Sequence, residues 1–140
     1  DVYKRQTPQG ELLSMPFNSS TPVLWYNADA LKKAGVGVPI TWAEMKTASE
    51  KLIASGMDCG FSFGWQSWVM VENYSAWHNL EIGTKENGFA GLDTKFSINN
   101  NHVKRILGQI SDWSKTGLFK YGGVEETVCP CLRTVNVQCG

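Results

Sequence analysis

The sequence predicts an α/β fold in which short apolar strands alternate with amphipathic helices. The helices have clear start signals: Thr41 and Glu44 form a capping-box pattern, and Asn residues at 99–101 precede a second helical pattern. Residues 23–26, before the first of these signals, and 59–63, between the two, form short segments rich in aromatic side chains, with the length of strands. This alternation favours a largely parallel sheet.

Composition limits the classes of partner. The 140 residues are 42% hydrophobic, which suits one folded domain. Because 13 basic and 13 acidic residues cancel and neither sign forms a long run, we expect no nucleic acid and no anionic membrane surface as partner. The first residues show no signal peptide. Residues 1–6 lack periodicity and targeting character, so we interpret them as a non-native scar.

The segment before the first helix is rich in Pro and polar residues. A short strand is expected near residues 12–16, and the polar cluster 18–21 either caps local backbone or faces a ligand. Residues 23–26 are β-prone and continuously apolar. They predict either a strand buried on both faces or a segment that crosses between two lobes.

Two helices are predicted next. Asn27 caps the first helix, which covers 28–34. The second begins after Thr41, where Ile40 and Met45 are placed to close a hydrophobic staple. Its apolar stripe is formed by Met45, Ala48, Leu52 and Ile53. We assign Trp42, in its first turn, to packing.

Two tryptophans follow the predicted strand 59–63. Trp65 and Trp68 flank a Gln and a Ser at the start of a helical pattern that extends to Leu80. Such a pair is typical either of a core or of a binding surface for a flat or ring-shaped ligand. The first turn of a helix also presents unpaired N–H groups that suit a phosphate or a hydroxylated ligand.

The remaining chain predicts a loop, a strand and a helix. Residues 83–92 carry three Gly and indicate a loop, and 95–98 indicate a short strand. An Asn at 99–101 then caps a helix that ends near Gly117. Its apolar face is formed by Val103, Ile106, Leu107, Ile110 and Trp113.

Neither a metal site nor a catalytic site is recognisable. Three cysteines crowd 129–139, but Cys-Pro-Cys lacks the two-residue spacer of common zinc motifs and no His follows His102. His78 and His102 belong to no catalytic motif, and nothing fixes the separation of Glu72 and Glu81 that glycoside hydrolysis would require. We expect a non-enzymatic protein without a cofactor.

Several motifs resemble the periplasmic sn-glycerol-3-phosphate-binding proteins of ABC importers, within the maltose-binding-like extracellular solute-binding proteins. The resemblance covers roughly residues 9–123, and the runs that begin at Met15 and Gly64 are the most specific. The matching segments are Met15 to Asn27, Asp29 to Gly35, Thr41-Trp42, Ala54 to Met57, Cys59-Gly60, Gly64 to Trp68 and Glu72-Asn73.

The resemblance implies a type II, two-lobe clamshell fold, of which this chain forms mostly one lobe plus a crossing segment. It implies a monomer, periplasmic or lipid-anchored at the cell surface, that captures sn-glycerol 3-phosphate or a glycerophosphodiester between the lobes and delivers it to ABC permease subunits. Ser20 would hydrogen-bond the ligand, and Trp65 and Trp68 would pack against it. An oligosaccharide is the alternative ligand. An all-β carbohydrate-binding module is disfavoured by the capping box.

The segment 124–140 departs from the resembled family. Shifting its degenerate codons by one nucleotide permits a peptide ending Asn-Gly-Glu-Cys-Ala-Met, which resembles the family's continuation, so we interpret this segment as a frameshifted tail. In that case Cys129, Cys131 and Cys139 have no designed role. The cysteine of the other frame is then a candidate disulfide partner for Cys59, as suits an oxidising periplasm.

Overall fold

The computed structural model describes residues 6–7, 9–15, 17, 20–123 and 131. Apart from Gln6 and Cys131, the predicted scar 1–6 and the predicted tail 124–140 lie outside the described residues. The elements, in chain order, are α1 (Ala28–Ala34), α2 (Trp42–Ala54), β1 (Phe61–Phe63), a π-helical segment (Ser67–Asn73), α3 (Tyr74–Trp77), α4 (Thr84–Asn87), α5 (Asn101–Lys115) and β2 (Phe119–Tyr121). Among the described residues, no helix is both long and apolar enough to cross a membrane.

The two strands form a parallel ladder. Phe61 pairs with Phe119, and the register continues to the pair Phe63 and Tyr121. This arrangement confirms the predicted mixture of helices and parallel strands. β1 begins two residues later than expected, and β2 was not predicted because three residues provide too short a pattern.

The core lies between the strands, α5 and the π-helical segment. Trp113 on α5 meets Phe61 edge-on at a ring distance of 5.7 Å. The ring of Phe119 contacts both β1 rings, with centroids 5.2 Å from that of Phe61 and 4.5 Å from that of Phe63. The cluster of buried side chains is completed by Met70, Tyr74, Ile106, Ile110 and Leu118. Burial of these apolar surfaces is the main stabilising term for the unit from β1 to β2.

The predicted helix starts are confirmed. The Asn27 side chain accepts a hydrogen bond from the N–H of Ala30 at 3.0 Å. Thr41 Oγ1 accepts from the N–H of Glu44, and Glu44 Oε2 accepts from the N–H of Thr41. The expected hydrophobic staple is wrong, because Ile40 is 91% exposed.

The cap changes the acidity of Glu44. Its carboxylate also accepts a hydrogen bond from the N–H of Ile40 at 2.8 Å. The backbone hydrogen bonds from Ile40 and Thr41 lower the pKa of Glu44 below its ordinary value. Trp42, in the same turn, packs with its ring 6.0 Å from that of Trp113, as its assignment to packing predicts.

The segment before α1 differs from the prediction. Leu12 forms an isolated antiparallel bridge with Gln6 instead of starting a strand. Residues 23–26 form no strand, and all four side chains are exposed, so the expected buried strand is wrong. A strand requires a hydrogen-bonded neighbour, and none of the described residues provides one here.

The predicted loop 83–92 contains a left-handed turn. Lys85, Glu86 and Asn87 have φ values between 54° and 57°. Asn87 stabilises the turn, because its side chain accepts hydrogen bonds from the N–H groups of Ile82 and Gly83. The predicted strand 95–98 is reduced to one bridge between Gly83 and Phe96.

Candidate functional site

A cleft with a volume of about 580 Å³ lies beside β1. Its walls come from residues 20–27, α1, α2, the strand β1 and the first turn of the π-helical segment. This volume falls in the range of known small-molecule pockets. The described part of the chain therefore encloses enough space for a ligand the size of a glycerophosphodiester.

All three predicted site residues line this cleft. Ser20 comes from the segment before α1, whereas Trp65 and Trp68 follow β1. Ser20 and Trp65 are exposed and Trp68 is half-buried, so all three have surface that a ligand could cover. The fold thus brings together residues that are separated by more than forty positions in the sequence.

The junction after β1 positions the two tryptophans. The backbone of Trp65 has a φ of 49°, which turns the chain sharply between the strand and the helical segment. The carbonyl of Trp65 accepts a hydrogen bond from the N–H of Val69 at 2.9 Å. Trp65 therefore precedes the first helical turn, and Trp68 lies within it, as the sequence predicts.

The helix that carries Trp68 begins in the π form, which was not predicted. The π-helical segment is wider than an α-helix because its backbone bonds span five residues. Asn73 donates a side-chain hydrogen bond to the carbonyl of Trp68 at 2.8 Å. This contact fixes the turn that carries Trp68. Short π segments are frequent at functional sites.

Several wall residues were missed by the sequence reasoning. Trp25 and Tyr26 line the cleft, and both side chains are exposed. Their position in the same run as Ser20 was the available signal. Met45, Met57 and Gly122 also line the cleft, but they reach it only through the packing of α2 and β2, which sequence periodicity does not reveal.

The electrostatics of the wall are simple. The cleft-lining residues of the described chain include neither Lys nor Arg, and neither Asp nor Glu. Hydroxyl, amide and indole groups supply its polarity. Such a wall suits the uncharged part of a ligand, and a charge-assisted hydrogen bond from Lys or Arg to a phosphate would have to come from residues outside this lining.

A disulfide borders the cleft. Cys59, which is fully buried, is bonded to Cys131, and Cys131 lines the cleft. The bond ties the start of the β1 region to the chain beyond β2. Within this chain the partner of Cys59 is therefore Cys131. The frameshift interpretation left Cys131 without a designed role. Cys129 and Cys139 lie outside the described residues.

The ionisable residues considered for catalysis lie outside this wall. His78 packs with its ring 4.3 Å from that of Tyr74, and the cleft lining includes neither His78 nor Glu72 nor Glu81. Their positions provide no acid–base pair beside the tryptophans.

Comparison with known proteins gives a consistent result. The family model for bacterial extracellular solute-binding protein matches residues 1–123. The sn-glycerol-3-phosphate-binding periplasmic protein UgpB of Pectobacterium atrosepticum is 43% identical over 98% of this chain and 31% of its own length. The proteins of the same name from Brucella abortus and Escherichia coli are 47% and 44% identical, over 83% and 86% of this chain and 28% of their own lengths. The chain thus spans about a third of the length of the curated relatives that it matches.

Proposed function

The chain belongs to the bacterial extracellular solute-binding protein family, and from this membership we propose that it is part of a periplasmic receptor for sn-glycerol 3-phosphate or a glycerophosphodiester. The observation that carries the proposal is the identity of 43–47% to three relatives that are all named for binding sn-glycerol 3-phosphate. The receptor passes its ligand to ABC permease subunits in the membrane and acts as a monomer. It performs no catalysis and uses no cofactor.

In this proposal Ser20, Trp65 and Trp68 contact the ligand. The Ser20 hydroxyl hydrogen-bonds it, and the two indoles pack against its glycerol portion. Support comes from the shared cleft, in which an exposed hydroxyl and two accessible indoles line the same volume. Aromatic side chains bind such ligands through large contact areas, while polar neighbours fix the orientation.

The proposal extends to a two-lobe clamshell, of which this chain supplies one wall. The described cleft lining contains neither Lys nor Arg to pair with a phosphate, and the chain spans about a third of the length of its relatives. Both observations support a second wall, built by other parts of a longer receptor, that holds the phosphate. The segment 20–27 would then cross between the lobes.

An oligosaccharide receptor of the same fold is the second candidate. It is favoured by the aromatic character of the wall, where Trp25 and Tyr26 accompany Trp65 and Trp68. Indoles stack on sugar rings as readily as they cover a glycerol phosphodiester. An uncharged wall can bind either a sugar or a glycerol phosphodiester. A direct measurement of binding therefore decides between the two ligand classes.

Calorimetry on the full-length receptor that contains this chain tests the proposal. We expect binding of glycerol 3-phosphate or glycerophosphocholine and no binding of maltose. Binding of maltose alone would instead establish the oligosaccharide receptor. Trp65→Ala and Trp68→Ala should each weaken binding by about 1–3 kcal/mol, the value of a buried aromatic contact.

Trp77→Ala is the matched control, because Trp77 is 83% exposed and lies outside the cleft lining. It should leave the affinity unchanged. If Trp65→Ala and Trp68→Ala lowered the melting temperature but kept the affinity, the two residues would have a packing role only.

A further inference from the structure

The backbone of Trp65 is held in an unfavourable conformation. Its φ of 49° lies in the left-handed region, which a bulky residue rarely adopts. The side chain is 51% exposed, so burial of the indole does not impose this conformation. Strained backbone at the edge of a cleft persists only where surrounding structure determines it.

Neighbouring glycines supply that structure. Gly122 donates its N–H to the carbonyl of Phe63 at 3.0 Å, and Trp65 donates its N–H to the carbonyl of Gly123 at 3.2 Å. These two bonds extend the parallel ladder beyond the last register pair, Phe63 and Tyr121. Because the Trp65 carbonyl also accepts from Val69, both backbone polar groups of Trp65 are fixed.

Gly64 permits this close approach. A Cβ atom at Gly64 would lie 2.6 Å from the carbonyl oxygen of Gly123, closer than side chains tolerate. That oxygen is the acceptor for the N–H of Trp65. Any side chain at Gly64 would therefore push away the group that holds Trp65. We call Gly64, Gly122 and Gly123 the glycine clasp.

We propose that the glycine clasp is a positioning element that presents the Trp65 indole to the cleft in one orientation. Gly64 acts through Trp65 rather than through a bond to the ligand. The inference rests on the proposed function, because it takes this cleft as the binding site for sn-glycerol 3-phosphate or a glycerophosphodiester. A pre-oriented indole lowers the entropy lost on binding, which raises affinity without any additional contact.

Fluorine NMR on the full-length receptor labelled with fluorotryptophan tests the clasp. The Trp65 line is assigned with Trp65→Phe. Gly64→Ala should shift or broaden the Trp65 line, leave the Trp113 line in place, and raise the Kd for glycerol 3-phosphate on the order of tenfold. An unmoved Trp65 line would overturn the inference.

Gly108→Ala is the matched control. Apart from its chain neighbours and the backbone of its own helix, no atom lies within 4 Å of a Cβ added at Gly108, which is in the middle of α5. This variant should change neither the Trp65 line nor the Kd. A wild-type receptor that fails to bind glycerol 3-phosphate would overturn the proposed function, while the effect of Gly64→Ala on the Trp65 line would still decide the role of the clasp.

Loss of the Trp113 line would reveal that Gly64→Ala prevents folding. In that case a second pair of variants tests whether the glycine clasp imposes the left-handed conformation on Trp65. Gly is unstrained in the left-handed region, whereas Ala is not. Trp65→Gly should therefore have a Tm equal to or above that of Trp65→Ala. The reverse order, expected for ordinary backbone, would refute a clasp that imposes the left-handed conformation.

Discussion

Trp25 and Trp113 have the same side chain in opposite surroundings. Trp113 is 5% exposed and meets the rings of Phe61 and Trp42, whereas Trp25 is 70% exposed. Trp113 belongs to the unit from β1 to β2, where helix, strand and π-helical segment cover one another. Trp25 belongs to residues 20–27, which form no strand among the described residues, and the side chains of 23–26 are exposed. The difference shows that an apolar run predicts burial only when a second apolar surface covers it.

The largest expected effect separates the two regions directly. Trp113→Ala should lower the free energy of unfolding by about 3–5 kcal/mol, because it removes a large buried side chain and leaves a cavity. Trp25→Ala should change it by less than about 0.5 kcal/mol, since the indole is largely in solvent. Urea unfolding followed by circular dichroism measures both. Equal losses would mean that residues 20–27 pack as tightly as the β1–β2 unit.

Reduction of the disulfide tests how much of the stability of the β1–β2 unit comes from the bond between Cys59 and Cys131. Cys59 and Cys131 are 72 positions apart, so their bond restricts a long loop in the unfolded chain. Chain-entropy reasoning gives about 4 kcal/mol for a loop of this length. Dithiothreitol should therefore lower the urea midpoint of the wild-type chain.

Cys59→Ala and Cys131→Ala provide the controls for this effect. Both should unfold near the midpoint of the reduced wild type and should not respond to dithiothreitol. If dithiothreitol still lowered the urea midpoint of both variants, the loss of stability on reduction would come from other cysteines.

A smaller effect is expected where α2 packs against the start of β1. A Cβ atom at Gly60 would lie 2.5 Å from the Cα of Ser49, so Gly60→Ala forces the helix away from the strand. The expected loss is about 1–3 kcal/mol, the usual cost of overpacking. Gly108→Ala, in open space on α5, should instead stabilise the chain by about 0.5–1 kcal/mol. Thermal unfolding of the two variants compares them, and a loss in both would contradict the assigned contacts.

The smallest effect concerns the cap of α2, which lies between the two regions. The pKa of Glu44 is below its ordinary value of 4.5 because the backbone N–H groups of Ile40 and Thr41 bond its ionised form. This contribution is fully present above pH 4.5 and is lost as the pH falls through the lowered pKa. Glu44→Gln should therefore flatten the acid limb of the stability profile. Urea unfolding at a series of pH values measures this limb, and a limb identical to that of the wild type would contradict the role assigned to Glu44.

Local signals explain which parts of the fold could be predicted. The starts of α1, α2 and α5 follow from Asn27, Thr41 and Asn100, whose side chains bond the first helical N–H groups within a few residues. Of the two alternatives predicted for residues 23–26, the buried strand is wrong, because β-propensity depends on neighbours that the sequence does not specify. The left-handed turn at Lys85 was not predicted, because Lys and Glu rarely adopt a positive φ.

The candidate site was predictable only in its most distinctive side chains. Trp65 and Trp68 were visible as a pair, and Ser20 through the family resemblance. The cleft itself was not predictable, since Met45 and Gly122 reach it through tertiary packing. The left-handed backbone of Trp65 has no sequence signal, because it depends on the carbonyl of Gly123.

The pairing of Phe61 with Phe119 also has a consequence for synthesis. A ribosome adds about 5–20 residues per second, so β2 emerges roughly 3–12 s after β1. During that interval the apolar rings of β1 have no partner strand, and an unpaired strand edge invites association with other chains. Any step that delays the arrival of β2 therefore lengthens the time for which the β1 edge is open to association with other chains.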